Sequence, residues 1–284
     1  MFDFLLYPVS AVLWFWHAIF GSLLGHDSGL AWVLAIAFLV FTIRALLLRP
    51  ALGQLRAARR TQELAPQIQW IREKHRGDQP RIAREIQQLH AEHGTSPFGG
   101  CLPALIQLPA FLSLFWVLRG FTPDAQSNQV FDRAGVESFL GADLFGAKLG
   151  NWLSQPSAEL LAVGTDRAHM LAVGIPLILL AGLATYLSMR MSLRRQDTTA
   201  NPQVATISKA MMYLAPVGML VSGSFFPMPI GVLLYFLANN VWTFGQQRLL
   251  TGLVDREREE ERPVRRRAVT PRPGQKPDRR RGHS

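Results

Sequence analysis

Residues 30–50 read LAWVLAIAFLVFTIRALLLRP, and from Ala31 to Leu48 the only polar side chains are Thr42 and Arg44. At about 1.5 Å of rise per residue these eighteen positions cover about 27 Å, close to the hydrocarbon thickness of a bilayer. The stretch therefore predicts a membrane-spanning helix over 31–48. One cation inside it needs a reason, because a guanidinium in lipid is costly and such residues usually face protein or a water-filled cavity. Two readings fit the spacing. Arg44 sits about one turn from Arg49, so its side chain could snorkel to the headgroups; alternatively it lines a polar recess.

Averages hide this pattern. The 284 residues are 49% hydrophobic with a net charge of +10, a pI near 10.7 and a mean hydropathy of +0.13, figures that a basic soluble protein could share. The apolar residues come in blocks, however, and the charges fall between and after them: Phe2 to Ile43 holds no Lys or Arg. The chain opens Met1-Phe2-Asp3-Phe4, without the basic n-region of a secretory signal, which predicts a retained N-terminus. Phe4 to Leu24 is apolar and rich in aromatics, with Pro8 suited to a first helical turn. That density of Tyr and Trp predicts an interfacial helix lying along the membrane rather than a further span.

After Pro50 the character changes. Residues 52–75 and 81–93 are polar with apolar residues at helical steps (Leu64, Ile68, Ile71; Ile82, Ile86, Leu89), separated by Gly77-Asp78-Gln79-Pro80. Each predicts a helix with one sticky face, and together an antiparallel hairpin over 50–96. The pattern alone fits both a solvated spacer and a docking arm. A second apolar block, 98–118, is interrupted by Pro103, Gln107 and Pro109, which predicts a span packed against protein where the freed carbonyls are satisfied. A polar loop follows over 121–166, with short helices expected between Glu137 and Trp152. Further spans are predicted over 168–189, 207–226 and 230–246, the last two joined by the tight Pro227-Met228-Pro229 turn. The tail over 251–284 ends in two Arg triplets with four prolines and is predicted disordered beyond about Glu261.

Basic residues orient the chain. Nine lie between Arg49 and Pro97 and twelve from Arg248 onward, against two in the 121–166 loop. The positive-inside rule then places hairpin and tail in the cytoplasm and the acidic loop outside. The fold class expected is an all-α integral membrane protein of the cell membrane: a five-transmembrane-helix bundle with a cytoplasmic helical hairpin, an N-terminal interfacial helix over 1–29, the N-terminus outside and the C-terminus inside.

Enzyme motifs are missing. No H-E-x-x-H, G-x-S-x-G or phosphate-cradling glycine loop occurs, the spans hold no acids, and the single Cys101 excludes an intramolecular disulfide. No Cys or His pair has metal-ligand spacing, so neither metal nor cofactor is expected. An anion or small-solute transporter is the rival class, since one intramembrane cation among kinked helices suits an anion pathway; it would need inverted repeats, and none is evident.

Ser96-Pro97-Phe98-Gly99-Gly100-Cys101-Leu102-Pro103, followed by Gln107, Pro109 and Phe111, resembles the N-P-x-x-G-C-L-P…Q-x-P-x-F signature of YidC-type membrane protein insertases. The span ending in Arg44 with Pro50, Glu63 to Ile68, Glu85 with Leu89, and Pro229-x-Gly231 leading to Tyr235 and Asn239 fit the same family in order and spacing. Ser96 departs from the usual Asn, and a short form without the large periplasmic domain is implied. The resemblance implies a hydrophilic groove open to the cytoplasm and to lipid, with Arg44 facing into it. It further implies that Gln107, Tyr235, Thr42 and Asn239 are substrate-contacting candidates, although Gln107, Asn239 and Asn240 also suit interhelical bonding and Thr42 its own helix carbonyl. Implied partners are nascent membrane proteins, the lipid bilayer, the ribosome through hairpin and tail, and the Sec translocon as a candidate. Arg density alone predicts polyanion affinity, including rRNA or anionic lipid.

Overall fold

The computed structural model describes residues 3–94, 102–194 and 202–269, with side chains over 4–94, 108–194 and 206–257. The Ser96–Cys101 part of the signature lies outside the described residues. The chain forms two compact units, Met1–Phe244 and Gly245–Ser284.

The first unit opens with α1 (Asp3–Leu24) and α2 (Gly29–Leu46). Trp16 and Phe20 of α1 pack on Phe38 of α2 at centroid distances of 4.9 and 5.0 Å. Helix α1, predicted to lie on the surface, has the length and composition of a span, as do α2 and α9 (Arg167–Leu193). Three such helices, among described residues that are mostly helical, make this an all-α membrane protein. The other predicted spans correspond to α6 (Leu102–Arg119), α10 (Pro202–Phe225) and the start of α11 (Ile230–Val269). Exposed Leu179, Leu183, Leu214 and Val217 leave α9 and α10 with broad apolar outer faces, the surface expected against lipid.

Between α2 and α6 the predicted 52–75 helix is broken in two, α3 (Leu48–Glu63) and α4 (Ala65–Lys74). Pro66 is the cause: lacking an N–H, it suits the first turn of a new helix and cannot continue the old one. After the turn at 75–78, α5 (Gln79–Glu92) is capped by the Asp78 carboxylate, which accepts from the Arg81 N–H at 3.1 Å. Helix α5 packs on α4, burying Ile68, Ile71 and Ile82, while His75 Nε2 lies 2.9 Å from Glu85 Oε1. His90 is buried in α5, and desolvation, with nearby His93 adding to it, holds its pKa below the ordinary histidine value. The folded state therefore prefers neutral His90. Its contribution is complete above the unfolded histidine pKa and declines as pH falls below it. Hydrogen exchange of α4 and α5 amides is expected to quicken, relative to α2, between pH 7 and pH 5.

The predicted 121–166 loop folds into a cap, and of the stretch 137–152 expected to hold short helices only the start is helical, a β-ribbon following it. It holds α7 (Arg133–Gly141), a two-stranded antiparallel ribbon β1 (Asp143–Leu144) and β2 (Ala147–Lys148), and α8 (Ser157–Ala162). Phe121, Phe131 and Phe139 enclose the fully buried Trp32 of α2 at 5.7, 5.4 and 5.0 Å, and the His17 ring stacks on it at 3.8 Å. The indole N–H is satisfied by Ser138 Oγ at 3.1 Å, and that hydroxyl donates to the His26 carbonyl. The cap also supplies acceptors for the first N–H groups of α11: Ile230 donates to Asn151 O and Gly231 to Leu149 O, both at 2.9 Å. The three phenylalanines lie within nineteen residues of a polar segment and 89 to 107 positions after Trp32, so no periodicity marks the cluster.

In the second unit α11 runs to Val269, past the Glu261 limit predicted from composition. Acids and bases intermingle without glycine from Asp255 to Arg262, a composition that helices tolerate, and the helix continues through Pro263. Residues 270–284 of the predicted tail lie outside the described residues.

Candidate functional site

Arg44 stands in the last turn of α2, where a cation is favoured by the helix dipole. Its guanidinium is turned to α11. Nε and Nη2 both donate to Asn239 Oδ1, at 3.0 and 2.6 Å. The remaining donors have no protein acceptor among the described residues, and no described carboxylate reaches the group. A neutral amide thus orients the charge without cancelling it. A neighbouring contact between the two helices helps fix their register, Phe41 meeting Trp242 at 5.5 Å, while within α11 Thr243 Oγ1 donates to the Asn239 carbonyl at 2.8 Å.

Tyr235 lies one turn before Asn239 and within electrostatic reach of Arg44. It is buried, its ring 5.7 Å from Phe111 and 5.5 Å from Phe236. The structure therefore brings together three of the sequence-predicted residues, Arg44, Asn239 and Tyr235. Thr42 is turned elsewhere. Two residues on a helix are about 200° apart, so it cannot share a face with Arg44; its hydroxyl donates to the Phe38 carbonyl at 2.8 Å and accepts from Trp16 Nε1 at 2.9 Å. Gln107 falls in the early turns of α6, one turn before Phe111, and its side chain lies outside the described ones.

The neighbouring asparagines do different work. Asn240 is buried against α9, accepting from Ser188 Oγ at 3.1 Å and donating to Thr185 Oγ1 at 3.1 Å and to the Phe236 carbonyl at 2.9 Å. Sequence reasoning did not single out Thr185 and Ser188. The available signal was two hydroxyls three residues apart in an apolar helix, hence on one face and suited to bonding across helices. Asn240→Ala strands the Ser188 hydroxyl and is expected to cost about 1 kcal/mol, read as a lower thermal midpoint in detergent.

The family model described as 60Kd inner membrane protein matches residues 23–257. A Mycobacterium tuberculosis (strain H37Rv) protein named membrane protein insertase YidC is 42% identical, over 98% of this chain and 81% of that protein. Proteins of the same name are 39% identical in Mycobacterium leprae, over 97% of this chain and 77% of the relative, and 34% identical in Streptomyces avermitilis, over 87% and 57%.

Proposed function

The chain belongs to the 60Kd inner membrane protein family, the family of the YidC insertases, and from that premise we propose that it inserts and helps fold nascent integral membrane proteins, using Arg44 as an intramembrane attractor. It is a multi-pass cell-membrane protein, and an insertase rather than an enzyme.

The observation carrying the mechanism is the pairing of Arg44 with an uncharged partner. A client's hydrophilic tail, with its Asp or Glu, is costly to move through hydrocarbon. A cation partway across lowers that barrier, and the Asn239 amide aims the guanidinium while leaving its positive charge available to a carboxylate. In this reading the groove lies between α2 and α11, with Tyr235, Asn239 and Gln107 along it. Thr42, bonded to Trp16, ties α1 to α2. The aromatic plug around Trp32 closes the opposite end.

The topology we infer has five spans (α2, α6, α9, α10 and the start of α11), the cap outside, and the α4–α5 hairpin and basic tail in the cytoplasm. Helix α1 lies across the outer end, a placement supported by Ser10 Oγ accepting from the Val130 N–H of the cap at 3.5 Å. Hairpin and tail meet the ribosome and anionic lipid, and the Sec translocon is a further candidate partner. Reconstitution tests the function. Purified protein in liposomes is expected to insert a short single-span client without an energy source; anion uptake with the client left outside would instead identify a transporter.

A further inference from the structure

The turn of the cap's ribbon reads Leu144-Phe145-Gly146-Ala147, with Asp143 paired to Lys148 and Leu144 to Ala147. Its two central residues have φ of +52° at Phe145 and +84° at Gly146. A tight hairpin of this hand requires positive φ at both, and Asn, Asp or Gly adopt it readily, whereas a bulky aromatic there is an outlier. The surroundings impose it. Asp143 Oδ1 accepts from the Gly146 N–H at 2.9 Å, Thr165 Oγ1 donates to the Gly146 carbonyl at 2.6 Å, and a Cβ on Gly146 would lie 2.5 Å from the His169 ring. What the strained residue presents is open: Phe145 is 83% exposed and contributes nothing to the buried core. Strain kept for an outward-facing aromatic points to a use for that side chain.

Its position names the partner. The Asp143 carbonyl rests against Gly29, the first residue of the apolar helix α2, and the next residue, Leu30, is half-exposed. On the other side β2 packs against α9, whose Leu171 and Ile175 are also exposed. The turn is therefore continuous with the lipid-facing surface at the level where two apolar helices begin. We propose that Phe145 is a membrane-interface anchor, inserting its ring at the headgroup–acyl boundary of the leaflet at the Gly29 end of α2 and so pinning the cap to the bilayer. This rests on membrane residence alone and is independent of the insertion mechanism.

Replacing the single native thiol (Cys101→Ser) allows a nitroxide to be placed by Phe145→Cys, with Gln126→Cys, exposed on the same cap, as the aqueous control. In liposomes of phosphatidylethanolamine and phosphatidylglycerol, the ratio of oxygen to nickel-chelate collision at 145 is expected to be several-fold higher than at 126. Equal ratios would overturn the proposal, as would protection of 145 from both reagents, which means protein contact. Because a small label removes the ring, p-benzoylphenylalanine at 145 provides the aromatic counterpart. Photocrosslinks to phospholipid are expected, and crosslinks confined to polypeptide would also overturn it.

Discussion

Arg44→Ala is expected to slow insertion of clients with acidic translocated tails by about tenfold or more, and to leave clients with neutral tails near the wild-type rate. A charge in an effective dielectric of about 20 attracts a carboxylate 4 Å away by about 4 kcal/mol. If only a third of that appears in the barrier, the rate falls about tenfold. Asn239→Asp sharpens the test, because it introduces a carboxylate where the amide oxygen accepts from Arg44 Nε and Nη2. That substitution keeps the hydrogen bonds while neutralising the charge, so it should reproduce the selective loss of Arg44→Ala in a protein with undiminished thermal stability. Initial insertion rates into proteoliposomes, measured with matched acidic and neutral clients, decide the matter. Equal rates for both classes in both variants would sink the attraction.

Gly29→Ala is expected to be the most damaging conservative change outside that site. A Cβ at Gly29 would lie 1.6 Å from the Asp143 carbonyl oxygen and 2.5 Å from its carbon. The obstacle is backbone, held by pairing with Lys148, so no rotamer relieves it. Either the start of α2 or the cap must move. Overpacking of this kind costs about 1–3 kcal/mol and sometimes more, enough to lower the thermal midpoint in detergent and the yield of folded protein. Gly53→Ala is the control: nothing lies within 4 Å of its Cβ position on helix α3, and there alanine is expected to stabilise by up to about 1 kcal/mol. Equal midpoints for the two variants would show that α2 and the cap do not meet as described.

How legible the site was depended on the kind of residue. Arg44 stood out because one charge in eighteen apolar positions is an energetic exception. Asn239 was tied to the groove through family resemblance, and its twin Asn240 looked the same in sequence; which of them meets the guanidinium follows from the way α11 is turned between α2 and α9. Thr42 was a groove candidate whose residue type also suited bonding to its own helix carbonyl, and helical geometry sets it on a different face from Arg44.

Local chemistry settled what depends on neighbours along the chain: helices where apolar residues fill a bilayer's width, a break where proline removes an N–H, an uneven spread of arginine around the spans. Tertiary structure alone decided which surfaces meet. It built a cap from a segment that looked like a loop, because Trp32 must bury its ring among phenylalanines about ninety to a hundred and ten positions away, and it gave Arg44 a neutral partner 195 residues distant. Periodicity reports only which face of an element avoids water; contacts between distant elements depend on how those faces close on one another, and no local pattern carries that information.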